Sequence, residues 1–121
     1  MWVSRSVLVV DDDASSRRII GKVLLGWGHV VIGEAGGVEE ALARAMELRP
    51  DTALVDIGLP DGDGFALARE LCAMPWPLRV VLVSTDADGA SGSAARRAGA
   101  SGFMPKTELS GRAFRQLIEG D

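Results

Sequence analysis

The amino-acid sequence predicts an α/β domain built around a parallel sheet of five strands. Short apolar runs, most of them rich in Val and Leu, recur along the chain without the polar alternation of a half-exposed strand. Such runs suit strands covered on both faces, as in a parallel sheet. Between them the apolar positions shift to separations of three and four, the spacing of one helix face. Carboxylates gather where the first and third runs end.

The elements follow in order. Residues 6–10, S-V-L-V-V, form the first strand and stop at Asp11, Asp12 and Asp13. Ile20, Val23, Leu24 and Trp27 then line one face of a helix that starts near Ala14. Asp13 or Ser15 caps its start, and Gly26 or Gly28 marks its end. Residues 29–33 supply the second strand. Val38, Ala41, Leu42 and Ala45 define a second helix closed by Pro50. The third strand covers residues 52–56 and ends on Asp56. After a turn-rich stretch at 58–64, the segment F-A-L-A-R-E-L-C-A-M returns to helical spacing before Pro75. Residues 79–83 make the fourth strand.

The stretch 86–99 is rich in Ala, Gly and Ser, and each glycine lowers helix propensity by about 1 kcal/mol relative to alanine. A fourth helix there is expected to be short or weakly anchored. Residues 101–104 are the fifth strand, and 109–119 a last helix with Ala113, Phe114, Leu117 and Ile118 inward. Right-handed crossovers in the order 2-1-3-4-5 bring the ends of strands one and three to the topological switch point, where ligands bind.

Composition narrows the function classes. The 121 residues, 47% of them apolar, suit one domain over 1–121 with one core. No apolar run approaches the ~20 residues that cross a bilayer, so no membrane association is expected. The start, M-W-V-S-R-S-V-L-V-V, lacks the pattern of a signal peptide. The single cysteine, Cys72, reads as a buried structural thiol in a reducing cytoplasm. A net charge of −4 and the absence of tyrosine argue against direct binding to nucleic acid.

The chemistry lies in the acidic cluster. Two carboxylates about 5 Å apart repel by roughly 3 kcal/mol at an effective dielectric of 20, so the site raises a pKa or takes a cation. Hard oxygen ligands suit Mg²⁺, which favours a few carboxylates plus a phosphate oxygen. A carboxylate can also attack phosphorus to give an aspartyl phosphate. Ser84 follows the fourth strand and Lys106 the fifth, where a hydroxyl donor and a cation would meet a phosphoryl group.

The set V-L-V-V-D-D at 7–12, L-V-D-I-G-L-P-D-G-D-G at 54–64, V-L-V-S at 81–84 and A-G-A-S-G-F-M-P-K at 98–106 resembles the receiver domains of two-component response regulators. The resemblance implies a flavodoxin-like, doubly wound (βα)5 fold. It implies that Asp56 is the phosphoacceptor and that Asp11, Asp12, Asp56 and the Gly58 carbonyl hold Mg²⁺. Ser84 then stands at the family's Thr/Ser position, Phe103 at the switch aromatic and Lys106 at the family's lysine. Pro60 and Gly64 match the loop after the acceptor, where glycine is expected to permit a strained turn. Thr85, Gly58 and Asp86 are the positions expected to modulate the kinetics.

The implied function is a signalling switch and not a dedicated enzyme. A histidine kinase or phosphotransfer protein phosphorylates Asp56, and the face of helix four, strand five and helix five changes. An output domain or downstream protein, and a homodimer through the helix-four to helix-five face, are further partners under this reading. Pro105 directly before Lys106 is similar to regulators with a helix-turn-helix output domain. Two alternatives compete: a haloacid dehalogenase-type phosphatase, whose second aspartate is here Gly58, and a receiver-like interaction module that takes no phosphate. The Gly-rich fourth helix is either short and frayed, or ordered only on phosphorylation or partner binding. His29 reads as a surface or turn residue. Asp61 and Asp63 read as turn residues, since Cys72 stands where a calcium loop needs its glutamate.

Thr85 stands where the family more often has Ala or Gly, and its β-branched side chain narrows access to the phosphoryl group. Thr85→Ala is therefore expected to be phosphorylated or hydrolysed faster than the natural protein. Stopped-flow and phosphate-release measurements check this, and equal rates would sink it.

Overall fold

The computed structural model describes residues 4–85 and 89–120, and the side chains of 89–91 lie outside that description, as do Trp2 and Asp86. Its strands are β1 (Ser6–Val10), β2 (Val30–Ala35), β3 (Thr52–Asp56), β4 (Arg79–Ser84) and β5 (Gly102–Pro105). They form one parallel sheet in the order β2-β1-β3-β4-β5, as the sequence predicts. The helices are α1 (Ala14–Gly26), α2 (Val38–Leu48), α3 (Gly64–Cys72), α4 (Gly89–Arg97) and α5 (Arg112–Glu119), with a 3₁₀ turn at Lys106–Glu108.

Alternate residues of each central strand feed two separate cores, which is why the strands are apolar throughout. Val7, Val9, Leu54, Val81 and Val83 meet Ile20 and Leu24 of α1 and Phe114 and Ile118 of α5. Leu8, Val10, Ala53, Val55, Val80 and Leu82 face the other side, against Ala41, Ala45, Leu67, Ala68, Leu71 and Ala95. That second layer is lined largely by alanines, whose small side chains let helices lie close to the sheet. Among the described residues no helix is long and apolar enough to cross a membrane.

The structure decides the two open ends of α1. Asp13 is the N-cap, accepting from the Ser15 N–H at 2.9 Å. Gly28, at φ 87°, closes the other end: its N–H donates to Leu25 O, and the His29 N–H donates to Leu24 O, both at 2.9 Å. This pair of bonds is the Schellman arrangement, which needs a left-handed residue there.

His29 is a correction. It is fully buried. Its Nδ1 accepts from the Arg5 N–H at 2.9 Å, and its Nε2 lies 2.8 Å from Glu119 Oε2. An accepting Nδ1 assigns the ring proton to Nε2, which donates to Glu119. The glycine before His29 suggests a turn, but its partner lies 90 residues away. Strand two accordingly begins at Val30 and extends to Ala35. Cys72 is half-buried instead of buried, with its thiol donating to Gly99 O at 3.3 Å and its pKa raised by burial. Trp76 sits in a loop between two prolines, its Nε1 donating to Pro50 O at 2.8 Å.

Helix α4 forms, nine residues long, and its buried anchor among the described side chains is Ala95. The sequence expectation of a weakly anchored helix agrees with so small an anchor.

Among the described residues Phe114 is the largest fully buried side chain, and its ring centre lies 5.6 Å from that of Trp27. Truncation leaves a cavity that the sheet cannot close, so Phe114→Ala is expected to cost about 3–5 kcal/mol. Urea unfolding followed by circular dichroism measures it.

Candidate functional site

Parallel pairing puts the carboxylates side by side. Val10 is in register with Val55, so Asp11 and Asp56 emerge together at the carboxyl edge of the sheet. Both are buried, Asp11 at 1% exposure and Asp56 at 7%, while Asp12 is exposed. Asp11, Asp12 and Asp56 each place an oxygen within 4.8 Å of the other two.

The charges are arranged symmetrically. Lys106 Nζ lies 2.7 Å from Asp11 Oδ2 and 3.0 Å from Asp56 Oδ2. The other oxygen of each carboxylate accepts a backbone N–H two residues on, Asp13 to Asp11 and Gly58 to Asp56, both at 2.9 Å. These are Asx turns, a local device of aspartate at strand ends. Burial opposes the charge on Lys106, but its bonds to Asp11 and Asp56 prevail and hold its pKa above the usual lysine value.

The other predicted residues lie around this group. Ser84 is buried at the end of β4, between β3 and β5, and Thr85 beside it is exposed. Phe103 is half-buried on β5, paired in register with Leu82 and packed against the core under α2, α3 and α4. Gly58 is exposed, and an added Cβ there would lie 3.7 Å from Asp56 Oδ1.

The chain matches the response regulator receiver domain over residues 7–118. It belongs to that family. The DNA-binding transcriptional activator DevR/DosR of Mycobacterium tuberculosis is 39% identical over 101 residues, covering 83% of this chain and 46% of that protein. The chemotaxis protein CheY of Thermotoga maritima is 30% identical, covering 86% of this chain and 87% of CheY. The signal receiver domain of the response regulator NarL from Mycobacterium tuberculosis superposes with a TM-score of 0.84 at 32% identity, over 98% of both chains.

This receiver domain spans under half the length of the first curated relatives it matches. Those longer proteins include enzymes, such as a protein-glutamate methylesterase/protein-glutamine glutaminase of Anaeromyxobacter dehalogenans, 40% identical over 88% of this chain. Membership gives the chain the role of a phosphoacceptor signalling switch in a two-component system, and neither the phosphatase nor the phosphate-free alternative is supported. Receiver domains generally bind Mg²⁺ at an acidic pocket and work with histidine kinases or phosphotransfer proteins and with output domains.

Two loop residues of the receiver behave differently from the sequence expectation. Gly64 does not relieve a strained turn, because its φ is not among the left-handed values. It is needed for close approach: an added Cβ would lie 2.4 Å from Ile57 Cα and 3.0 Å from Asp56 O. Asp61 is more than a turn residue. Its carboxylate caps α2 across the loop, accepting from the Val38 N–H at 2.7 Å and the Glu39 N–H at 3.4 Å. Asp63 caps α3 in the ordinary local way, through the Phe65 N–H. The signal for the Asp61 cap was the absence of any capping side chain at Gly37, where a Cβ would meet Asp61 Oδ1 at 2.7 Å.

The Val38 hydrogen bond is the main reason that the Asp61 pKa falls below the ordinary 3.8. A depressed carboxylate contributes stability that is present well above pH 3.8 and is lost as pH falls through its folded value. The natural protein is therefore expected to exceed Asp61→Asn in urea midpoint near neutral pH. The gap closes below pH 3.8. Urea melts of both proteins at several pH values test this, and a gap that widens in acid would contradict it.

Proposed function

We propose that the whole stretch 1–121 acts as one receiver domain in the cytoplasm, with Asp56 as its phosphoacceptor. The observation that carries this reading is Lys106 Nζ bridging Asp56 and Asp11, since it sets a cation against two buried carboxylates at the sheet edge. An ionised Asp56 oxygen can form the new O–P bond as the P–N bond to the phosphohistidine donor breaks, and the departing imidazole takes up a proton. Lys106 is then within reach of a phosphoryl oxygen, and the Ser84 hydroxyl donates to another.

The donor set suits Mg²⁺. Three carboxylate oxygens lie within 4.8 Å of one another, Asp12 is exposed to a hydrated ion, and no soft ligand is among them. Asp11, Asp12, Asp56 and the Gly58 carbonyl would hold it. When bound, Mg²⁺ neutralises charge on the transferring phosphoryl oxygens. Thr85 and Gly58 flank the acceptor and modulate its rates; Asp86, assigned the same role, lies outside the described residues.

Phosphorylation draws Ser84 toward the phosphoryl group and frees Phe103 to repack, which changes the face of α4, β5 and α5. A histidine kinase or phosphotransfer protein supplies the phosphoryl group. An output domain, a downstream protein or a second copy reads the changed face. The domain carries out its own phosphoryl transfer and dephosphorylation and no other catalysis.

Incubation with acetyl phosphate and Mg²⁺ followed by intact-mass measurement tests the reading. One phosphoryl adduct is expected, lost in Asp56→Asn and in excess chelator. Lys106→Ala is expected to slow labelling by about 100-fold, the scale for removing one donor to a developing charge. Labelling of Asp56→Asn at the natural rate would overturn the assignment.

A further inference from the structure

Asp11 and Asp12 lie in the short connection between β1 and α1, a loop with three consecutive aspartates and no apolar anchor of its own. Its self-repulsion means that something outside it must hold its shape. The Asp11 N–H is bound to Ala35 O, the last residue of β2, at 2.9 Å. The Asp11 carbonyl accepts from Arg17 Nη1 at 2.5 Å, and Arg17 Nε reaches Glu34 Oε1 at 2.8 Å. Arg17 is 22% exposed, much less than Glu34 at 53%. One guanidinium on α1 thus ties the acidic loop to the end of β2. The next turn is pinned in its own right, since the Gly36 N–H donates to Glu40 Oε1 at 2.7 Å.

We propose that Arg17, braced by Glu34, is a positioning residue for the cation site: it holds the Asp11 backbone so that Asp11 and Asp12 converge on Mg²⁺. This rests on the reading of those two aspartates as ligands. Arg17 touches neither carboxylate in question; it grips the peptide between them. A planar fork with several fixed donors can serve a carbonyl and a carboxylate at once, which an ammonium cannot do with the same geometry.

Electrostatics alone makes the opposite prediction, which renders the idea testable. Arg17 is a positive charge near a cation site, so its removal should tighten Mg²⁺ binding if charge were its main effect. Loss of a positioning contact behind a ligand instead weakens metal binding, typically by 10–100-fold.

The experiment is calorimetric titration of the metal-free chain with MgCl₂, with Asp12→Asn as the control for the site. Arg17→Met, which keeps the stem and removes the fork, is expected to weaken binding by about 10-fold. Arg17→Lys falls between the two, and Glu34→Gln weakens binding by a smaller factor. The double variant Arg17→Met/Glu34→Gln is no weaker than Arg17→Met, because both changes break one bridge. Amide spectra recorded before titration show which variants are folded; should Arg17→Met fail to fold, Arg17→Lys and Glu34→Gln carry the test. Equal or tighter binding in the folded Arg17 variants overturns the clamp. Natural protein without Mg²⁺ binding that Asp12→Asn weakens would bring down the underlying site reading instead.

Discussion

Three charges share the carboxyl edge of the sheet, and Lys106 between Asp11 and Asp56 is the contact that makes their burial tolerable. At an effective dielectric of 20, two carboxylates whose oxygens lie within 4.8 Å of each other repel by at least about 3 kcal/mol. Each contact with the ammonium, at 2.7 and 3.0 Å, attracts by about 5–6 kcal/mol on the same scale. The attraction outweighs the repulsion, and the remaining excess of negative charge is what a divalent cation would answer. The contact reaches across the fold: Lys106 follows β5, and its ammonium meets carboxylates at the ends of β3 and β1.

The rest of the scaffold keeps these side chains from collapsing or splaying. Backbone N–H groups of Asp13 and Gly58 hold one oxygen of each buried aspartate, leaving the other oxygen for Lys106. Gly64 lets α3 start directly against the peptide that follows Asp56, and Asp61 fastens the same loop to α2. The segment that follows Asp56 is therefore bound to two helices, while that bearing Asp11 and Asp12 is bound to β2 and α1. Ser84 and Phe103 sit on β4 and β5, on the side of the sheet away from β2.

Much of the fold was legible because it depends on short-range patterns. Apolar runs covered on both faces, helical spacing between them and glycine or proline at their ends all act within a few residues, and they yielded the five strands; their order came from the right-handed crossover rule for doubly wound sheets. The carboxylates at strand ends were legible for the same reason: once strands one and three are neighbours, parallel register carries Asp11 next to Asp56. Ser84 and Lys106 followed from their places at the end of β4 and just after β5. What escaped were contacts between distant segments. His29 reads as a turn residue beside Gly28, yet its burial is secured by Glu119 from the last helix. Asp61 reads as a loop residue, and only the packing of that loop on α2 turns it into a cap.

The sequence by itself thus determined the strand pattern, the helix faces and the acidic residues at the sheet edge, since each is written in neighbours along the chain. Tertiary structure decided which oxygen faces which donor: that Lys106 bridges two aspartates, that Gly64 is needed for close approach and not for a left-handed turn, and that Arg17 reaches the Asp11 carbonyl. The physical reason is directional. Hydrophobic burial depends on pattern and area, which a sequence displays, whereas hydrogen bonds and ion pairs depend on distances of a few ångströms between segments far apart in the chain.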